Sequence, residues 1–135
     1  MTDDTVVRVF EDPAHIDPMA WNELLAQQDA PTPFMRHEYL AALHVSGSAT
    51  ADTGWSPCWI TVQRGPRLLA ACALSLKDHS YGEYVFDWAW ADAYRRHGID
   101  YYPKLLGAVP FTPVPGSRLL ARDAASRELL LSAVL

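Results

Sequence analysis

Apolar positions along the chain recur at two spacings, and the switches between them lay out the elements. Thr5–Phe10 (TVVRVF) is rich in β-branched residues and predicts a first strand. Asp17-Pro18 then supplies a capping carboxylate and a first helical residue. Over 19–28, Trp21, Leu24, Leu25 and Gln28 fall on one face at helical spacing. The Pro31-Thr32-Pro33 turn ends that unit. A second amphipathic helix is expected over 34–45, through Met35, Tyr39, Leu40 and Leu43.

The small, polar run 46–54 reads as a loop between helices and strands. Two strands follow, 55–63 and 68–77, and the Arg64-Gly65-Pro66-Arg67 turn between them predicts an antiparallel hairpin. Ala70-Ala71-Cys72-Ala73-Leu74 is continuously small and apolar, as in a central strand covered on both faces. A helix is predicted over 87–97, capped by Asp87, with Arg95, Arg96 and His97 at its carbonyl end and Gly98 as left-handed stop. A proline-broken strand over 101–111, a short strand over 117–122 and a helix over 123–135 complete the pattern. That last helix ends in LLLSAVL without Gly, Pro or polar stop, so its apolar face needs a partner. Either the chain is the amino-terminal part of a larger protein, truncated at its C-terminal end, or this helix closes the core; the first reading is preferred. The expected class is α/β (α+β), a single domain over 1–135 with a mixed, largely antiparallel sheet flanked by helices.

Composition adds limits. The 135 residues suit one small domain, with 50% hydrophobic and 20% charged residues, an ordinary globular balance. No apolar run approaches the roughly 20 residues that cross a bilayer, and the acidic start Met1-Thr2-Asp3-Asp4 lacks the features of a signal peptide. A cytoplasmic location and no transmembrane segment are expected. Cys58 and Cys72 are expected as free thiols, a disulfide being geometrically open, and without a CxxC pair they offer no zinc signature. A net charge of −5 opposes general nucleic-acid binding. The charge is uneven: nine acids and two bases lie up to Ile60, against nine bases and seven acids beyond it. The second half can therefore present a positive site to a phosphate or carboxylate.

Candidate chemistry concentrates in 77–118. Lys77, His79, Ser80, Tyr81, Glu83 and Asp87 crowd the junction of a strand end with a helix start, where open α/β sheets bind ligands. Tyr101-Tyr102-Pro103-Lys104 and Arg118 follow on strand-loop segments expected to converge on the same edge. His79 with Glu83 or Asp87 has the makings of an acid–base pair; a hydrogen-bonded structural histidine is the commoner role. A Ser80 nucleophile lacks a G-x-S-x-G elbow. A metal set of His79, Glu83, Asp87 and His97 has unfavourable geometry, so no metal is expected. The aromatic run through Tyr81, Tyr84, Phe86, Trp88, Trp90 and Tyr94 suits packing better than base stacking. GxGxxG and GxxxxGK[ST] are absent.

The run His79-Ser80-Tyr81-Gly82-Glu83-Tyr84-Val85-Phe86-Asp87, then Trp90-Ala91, Tyr101-Tyr102-Pro103-Lys104-Leu105, Val109-Pro110-Phe111-Thr112-Pro113-Val114 and Gly116-Ser117-Arg118-Leu119-Leu120 resembles a bacterial family of Fem-like proteins. These are described as peptidoglycan biosynthesis or recognition proteins and grouped with GNAT-type N-acetyltransferases. Asn22-x-Leu24, Pro33-Phe34 and Gly54-Trp55 are also similar, so the resemblance spans nearly the whole chain. It implies an acyl-CoA N-acyltransferase-like fold in which full-length members carry two related halves, this chain supplying the first. One departure is Ala73-Leu74-Ser75-Leu76-Lys77, where relatives tend to carry proline and tyrosine before the lysine.

The leading expectation is transfer of an acyl or aminoacyl group to an amine, on a small-molecule or cell-wall precursor substrate. Glu83 or Asp87 would act as base or amine-orienting carboxylate, with His79 as alternative base. Lys77, Lys104 and Arg118 would hold donor phosphate or precursor carboxylate, Tyr81 would line the substrate site, and Tyr102 would donate to the developing oxyanion. No cofactor is expected in this piece alone, with acetyl-CoA or an aminoacyl donor for the full-length protein. The alternative is a non-catalytic module recognising a peptidoglycan precursor or partner, since no Gly-rich pyrophosphate cradle precedes a helix. A third expectation is an inactive fragment that associates with a missing C-terminal half, or with itself, through its apolar last helix.

Overall fold

The computed structural model describes residues 4–79, 83, 88–112 and 114–135, leaving aside the Trp88 side chain. Within them the chain is a mixed α/β unit with an antiparallel sheet and four α-helices. The strands are β1 (Thr5–Phe10), β2 (Trp55–Arg64), β3 (Arg67–Lys77), β4 (Lys104–Leu106) and β5 (Leu119–Ala121). The helices are α1 (Pro18–Ala26), α2 (His37–Val45), α3 (Trp88–Arg96) and α4 (Ala124–Val134).

The two long strands form the predicted hairpin, and β3 is central: β2 lies on one side, β4 and β5 on the other. Every pairing among the described strands is antiparallel. The rule that places ligands at the carboxyl ends of parallel strands therefore does not locate this protein's site. A bulge at Val62/Gln63 shifts the hairpin register by one residue. Beyond it, Trp59 faces Ala73, and Trp55 faces Lys77.

Side-chain alternation divides the sheet between two clusters. Trp59, Ala71 and Leu120 join Trp21, Leu24 and Leu25 of α1 and Leu40 of α2 on one face. Ile60, Val62, Ala70 and Cys72 meet Leu130 of α4 on the other. The alanines of β3 keep both faces low enough for helices to approach. Asp17 caps α1 by accepting from the Met19 amide at 3.1 Å, and the Trp21 indole donates to the Met35 carbonyl at 2.9 Å. Asp123 caps α4 in the same way through the Ser126 amide, at 2.8 Å. The last helix does close a core through Leu130, which is fully buried, while Leu129, Leu131 and Leu135 remain exposed.

Three boundaries differ from the periodicity. Phe34 and Met35 belong to a 3-10 turn (Pro33–Met35), Arg36 is extended, and α2 begins only at His37. Pro33 at the first position and the Thr32 cap favour that short turn over a continuous helix. The strand expected over 101–111 shrinks to Lys104–Leu106, and the one over 117–122 to Leu119–Ala121. These two segments run in one direction along the same edge of β3, opposite Lys77–Ser75 and Cys72–Ala70 respectively. Between them, residues 107–118 leave the edge: Val109 enters the α1/α2 cluster, Thr112 Oγ1 lies 2.9 Å from the Tyr39 hydroxyl, and Ser117 N donates to Ala30 O at 2.9 Å. The edge strand is thus interrupted by an excursion across the helical layer.

Cys58 and Cys72 are unbonded, as expected. Burial raises both thiols, Cys72 to about 11. Among the described residues, no helix is long and apolar enough to cross a membrane.

Candidate functional site

The bulged register puts Trp55, Lys77 and Lys104 in one row across β2, β3 and β4, on one face of the sheet. Glu83 completes the row from the following segment. Its Oε1 accepts from Lys104 Nζ at 2.7 Å; its Oε2 lies 3.6 Å from Lys77 Nζ, an ion-pair distance beyond hydrogen bonding. The Glu83 side chain is 1% exposed, Lys77 0% and Lys104 15%. Lys77 Nζ also sits 3.7 Å from the centroid of the Trp55 ring, and Lys104 Nζ 5.3 and 5.7 Å from those of Tyr101 and Tyr102. Among the described residues the cluster holds two cations and one anion.

Burial holds the Lys77 ammonium below the usual lysine range; the Glu83 carboxylate pulls the other way, and Lys104 adds to the depression. Lys104 is the cation with partial access to solvent. The tyrosines beside it continue outward: Tyr101 stacks edge-on against Tyr102 at 4.9 Å and against Tyr94 of α3 at 5.2 Å. Both tyrosines line an open groove of about 990 Å³ with Asp92, Arg95, Ile99 and Asp100. On the inner side, Phe111 of the excursion packs on Trp55 at 5.6 Å. Two polar atoms here are buried without a hydrogen-bond partner, Trp55 Nε1 and Glu83 Oε2.

His79 lies just past Lys77, its Nε2 3.5 Å from Asp78 Oδ1, with a third of its side chain exposed. It rests over Gly54, the left-handed residue before Trp55; a Cβ at Gly54 would come within 2.3 Å of His79 Nε2. Arg118 does not join this group. Its guanidinium donates to the Val114 carbonyl beside Gly116 and Thr32, and burial lowers its pKa from the usual arginine value. By strand spacing, the position it would take opposite β3 is roughly 13 Å along the edge from Lys104. The sequence expectation of one convergent edge thus resolves into a Lys77–Glu83–Lys104–Tyr102 cluster with His79 at its rim, and a separate Arg118. Tyr81 and Asp87 lie outside the described residues.

A family model described as peptidoglycan biosynthesis/recognition matches residues 12–135. The chain belongs to this FemAB-like family. No curated protein and no solved structure matches it.

In this FemAB-like protein, sequence reasoning missed Trp55 and Phe111 as parts of the cluster. Both carried a signal: each stands in a run that resembles the family, and Trp55 opens the strand whose partner ends at Lys77. Chemically, the FemAB-like cluster offers an ammonium on Lys104, held by a carboxylate and set beside the rings of Tyr101 and Tyr102, which themselves line the open groove.

Proposed function

We propose that this FemAB-like protein works as a GNAT-type acyltransferase fold that moves an acetyl or aminoacyl group onto an amine of a peptidoglycan precursor. The observation that carries the reading is the buried Lys77–Glu83–Lys104 row, whose partly exposed member, Lys104, stands beside the rings of the groove-lining Tyr101 and Tyr102. Burying three charges is costly, and a row whose partly exposed member stands beside groove-lining rings is suited to present one of them to a ligand.

In this reading Lys104 binds a phosphate or carboxylate oxygen of donor or acceptor. Glu83 and Lys77 position it, a narrower part for both than direct base and direct anion contact. Tyr102 donates to the carbonyl oxygen as it gains charge. His79, with Asp78 beside it, takes the proton from the acceptor ammonium; the freed amine nitrogen attacks the carbonyl carbon, and the bond to the donor's leaving group breaks. Asp87 remains a second base candidate, Tyr81 a substrate contact, and Arg118 a support for its own loop. Acetyl-CoA or an aminoacyl donor would supply the acyl group.

Titration calorimetry with acetyl-CoA, an aminoacyl donor and a lipid-linked precursor, on wild type and Lys104→Ala, tests this. Donor binding that Lys104→Ala weakens at least tenfold supports the transferase. Precursor binding without donor binding supports the recognition module. No heat with any of the three ligands sinks both readings.

A further inference from the structure

Among the described residues, β1 lies at one edge of the sheet and pairs with β2 alone. Three of its exposed side chains are apolar: Val6, Val7 and Val9 are 45, 48 and 60% exposed. An exposed, regular, apolar edge is a template for another strand. Two charges stand on it, Asp4 just before the strand and Arg8 within it. Both are exposed, and neither side chain has an ion-pair or hydrogen-bond partner among the described residues. Four residues apart on one extended strand, roughly 13 Å, they cannot reach each other.

We propose that β1 pairs antiparallel with β1 of a second copy of this chain, about a two-fold axis through Val6. Such an axis, perpendicular to the sheet, keeps each side chain on its own face, so facing residue numbers must sum to an even value. Centring on Arg8 stacks arginine on arginine. Centring on Thr5 leaves Arg8 beyond the overlap, and centring on Val7 sets Arg8 against Val6. Centring on Val6 sets Asp4 of each copy against Arg8 of the other, flanking a Val6–Val6 contact, with Thr5 facing Val7 on the opposite face. Opposite charges directly across an antiparallel pair are stabilising, like charges the reverse. This register joins the two five-stranded sheets into one and satisfies both charges.

The interface is small, so the dimer is weak, with a dissociation constant on the order of 100 µM. Sedimentation equilibrium from about 10 µM to about 1 mM protomer covers that range. Asp4→Arg and Arg8→Glu should each weaken association about tenfold, and the double reversal should restore it. The Asp4→Arg variant separates pairing from overall repulsion. Asp4→Arg moves the net charge of −5 two units toward neutrality, so repulsion alone predicts tighter association, whereas the paired register predicts weaker. A chain monomeric at the highest concentration, a double reversal that fails to restore association, or a single reversal that tightens it overturns the proposal. So does a dimer indifferent to these changes but lost with Leu131→Glu, which would belong to the α4 face.

Discussion

Near its turn, the β2–β3 hairpin is held between two apolar layers; at its open end, the same two strands enclose charge. In the first region Ala70, Ala71 and Cys72 are almost wholly buried between α1 and α4. In the second, Lys77 is just as buried, yet its ammonium is enclosed by a ring face and a carboxylate. Equal burial thus arises from opposite chemistry. Helices cover the apolar end by area, and a mismatch there costs in proportion to volume. The charged end depends on a few groups whose positions and charges must agree, so its tolerance is set by pairing.

The largest expected effect is at the apolar end. Trp21→Ala removes a fully buried indole stacked 4.7 Å from Trp59, and should cost about 3–5 kcal/mol in urea unfolding. At the charged end, Glu83→Gln keeps the volume but strips the carboxylate from two lysines. A loss of about 3 kcal/mol is expected. If Glu83→Gln is silent while Trp21→Ala is severe, the charged end is not held by pairing and the contrast fails.

Alkali should separate the regions by sign. Lys77 has a folded-state value below its unfolded one, so the unfolded chain holds more protons in the window between them, and stability rises with pH up to about 10.5. Cys72 is raised from 9.0 to about 11, so the folded chain holds more protons there, and stability falls as pH climbs from 9.0. That fall should reach about 2 kcal/mol. Unfolding midpoints between pH 8 and 11 should therefore show the rising component vanish in Lys77→Met and the falling one in Cys72→Ala. Smallest is Gly54→Ala, which forces a left-handed alanine against His79 and Asp78 at an expected cost of about 1–2 kcal/mol. Its sharper signature is a displaced His79, seen as a shifted imidazole resonance; an unmoved resonance would detach His79 from the row.

Much of the fold was legible because it rests on local signals. The cap and proline at Asp17-Pro18, the Arg64–Arg67 turn and the alanine run of β3 each name their element. The candidate site was legible in its residues but not in its arrangement. Counting back from the hairpin turn, where Arg64 faces Arg67, sets Trp55 opposite Leu76 and on the wrong face; the bulge at Val62/Gln63 moves it opposite Lys77. No residue type there announces a bulge. Likewise, the Val109-Pro110-Phe111 run reads as continued strand, and only tertiary contact with Trp55 and Tyr39 shows it leaving the edge. Arg118 was grouped with the lysines because nearness in sequence stood in for nearness in space.

The interrupted edge strand also orders events in time. The β2–β3 hairpin closes a short loop, whereas the row through Lys104 waits for chain that arrives much later. Substitutions in the hairpin should slow folding in stopped-flow experiments, while those at Lys104 and Phe111 should mainly speed unfolding. The charged end would then lie beyond the folding barrier, the last part of the molecule to be made and the first to come undone.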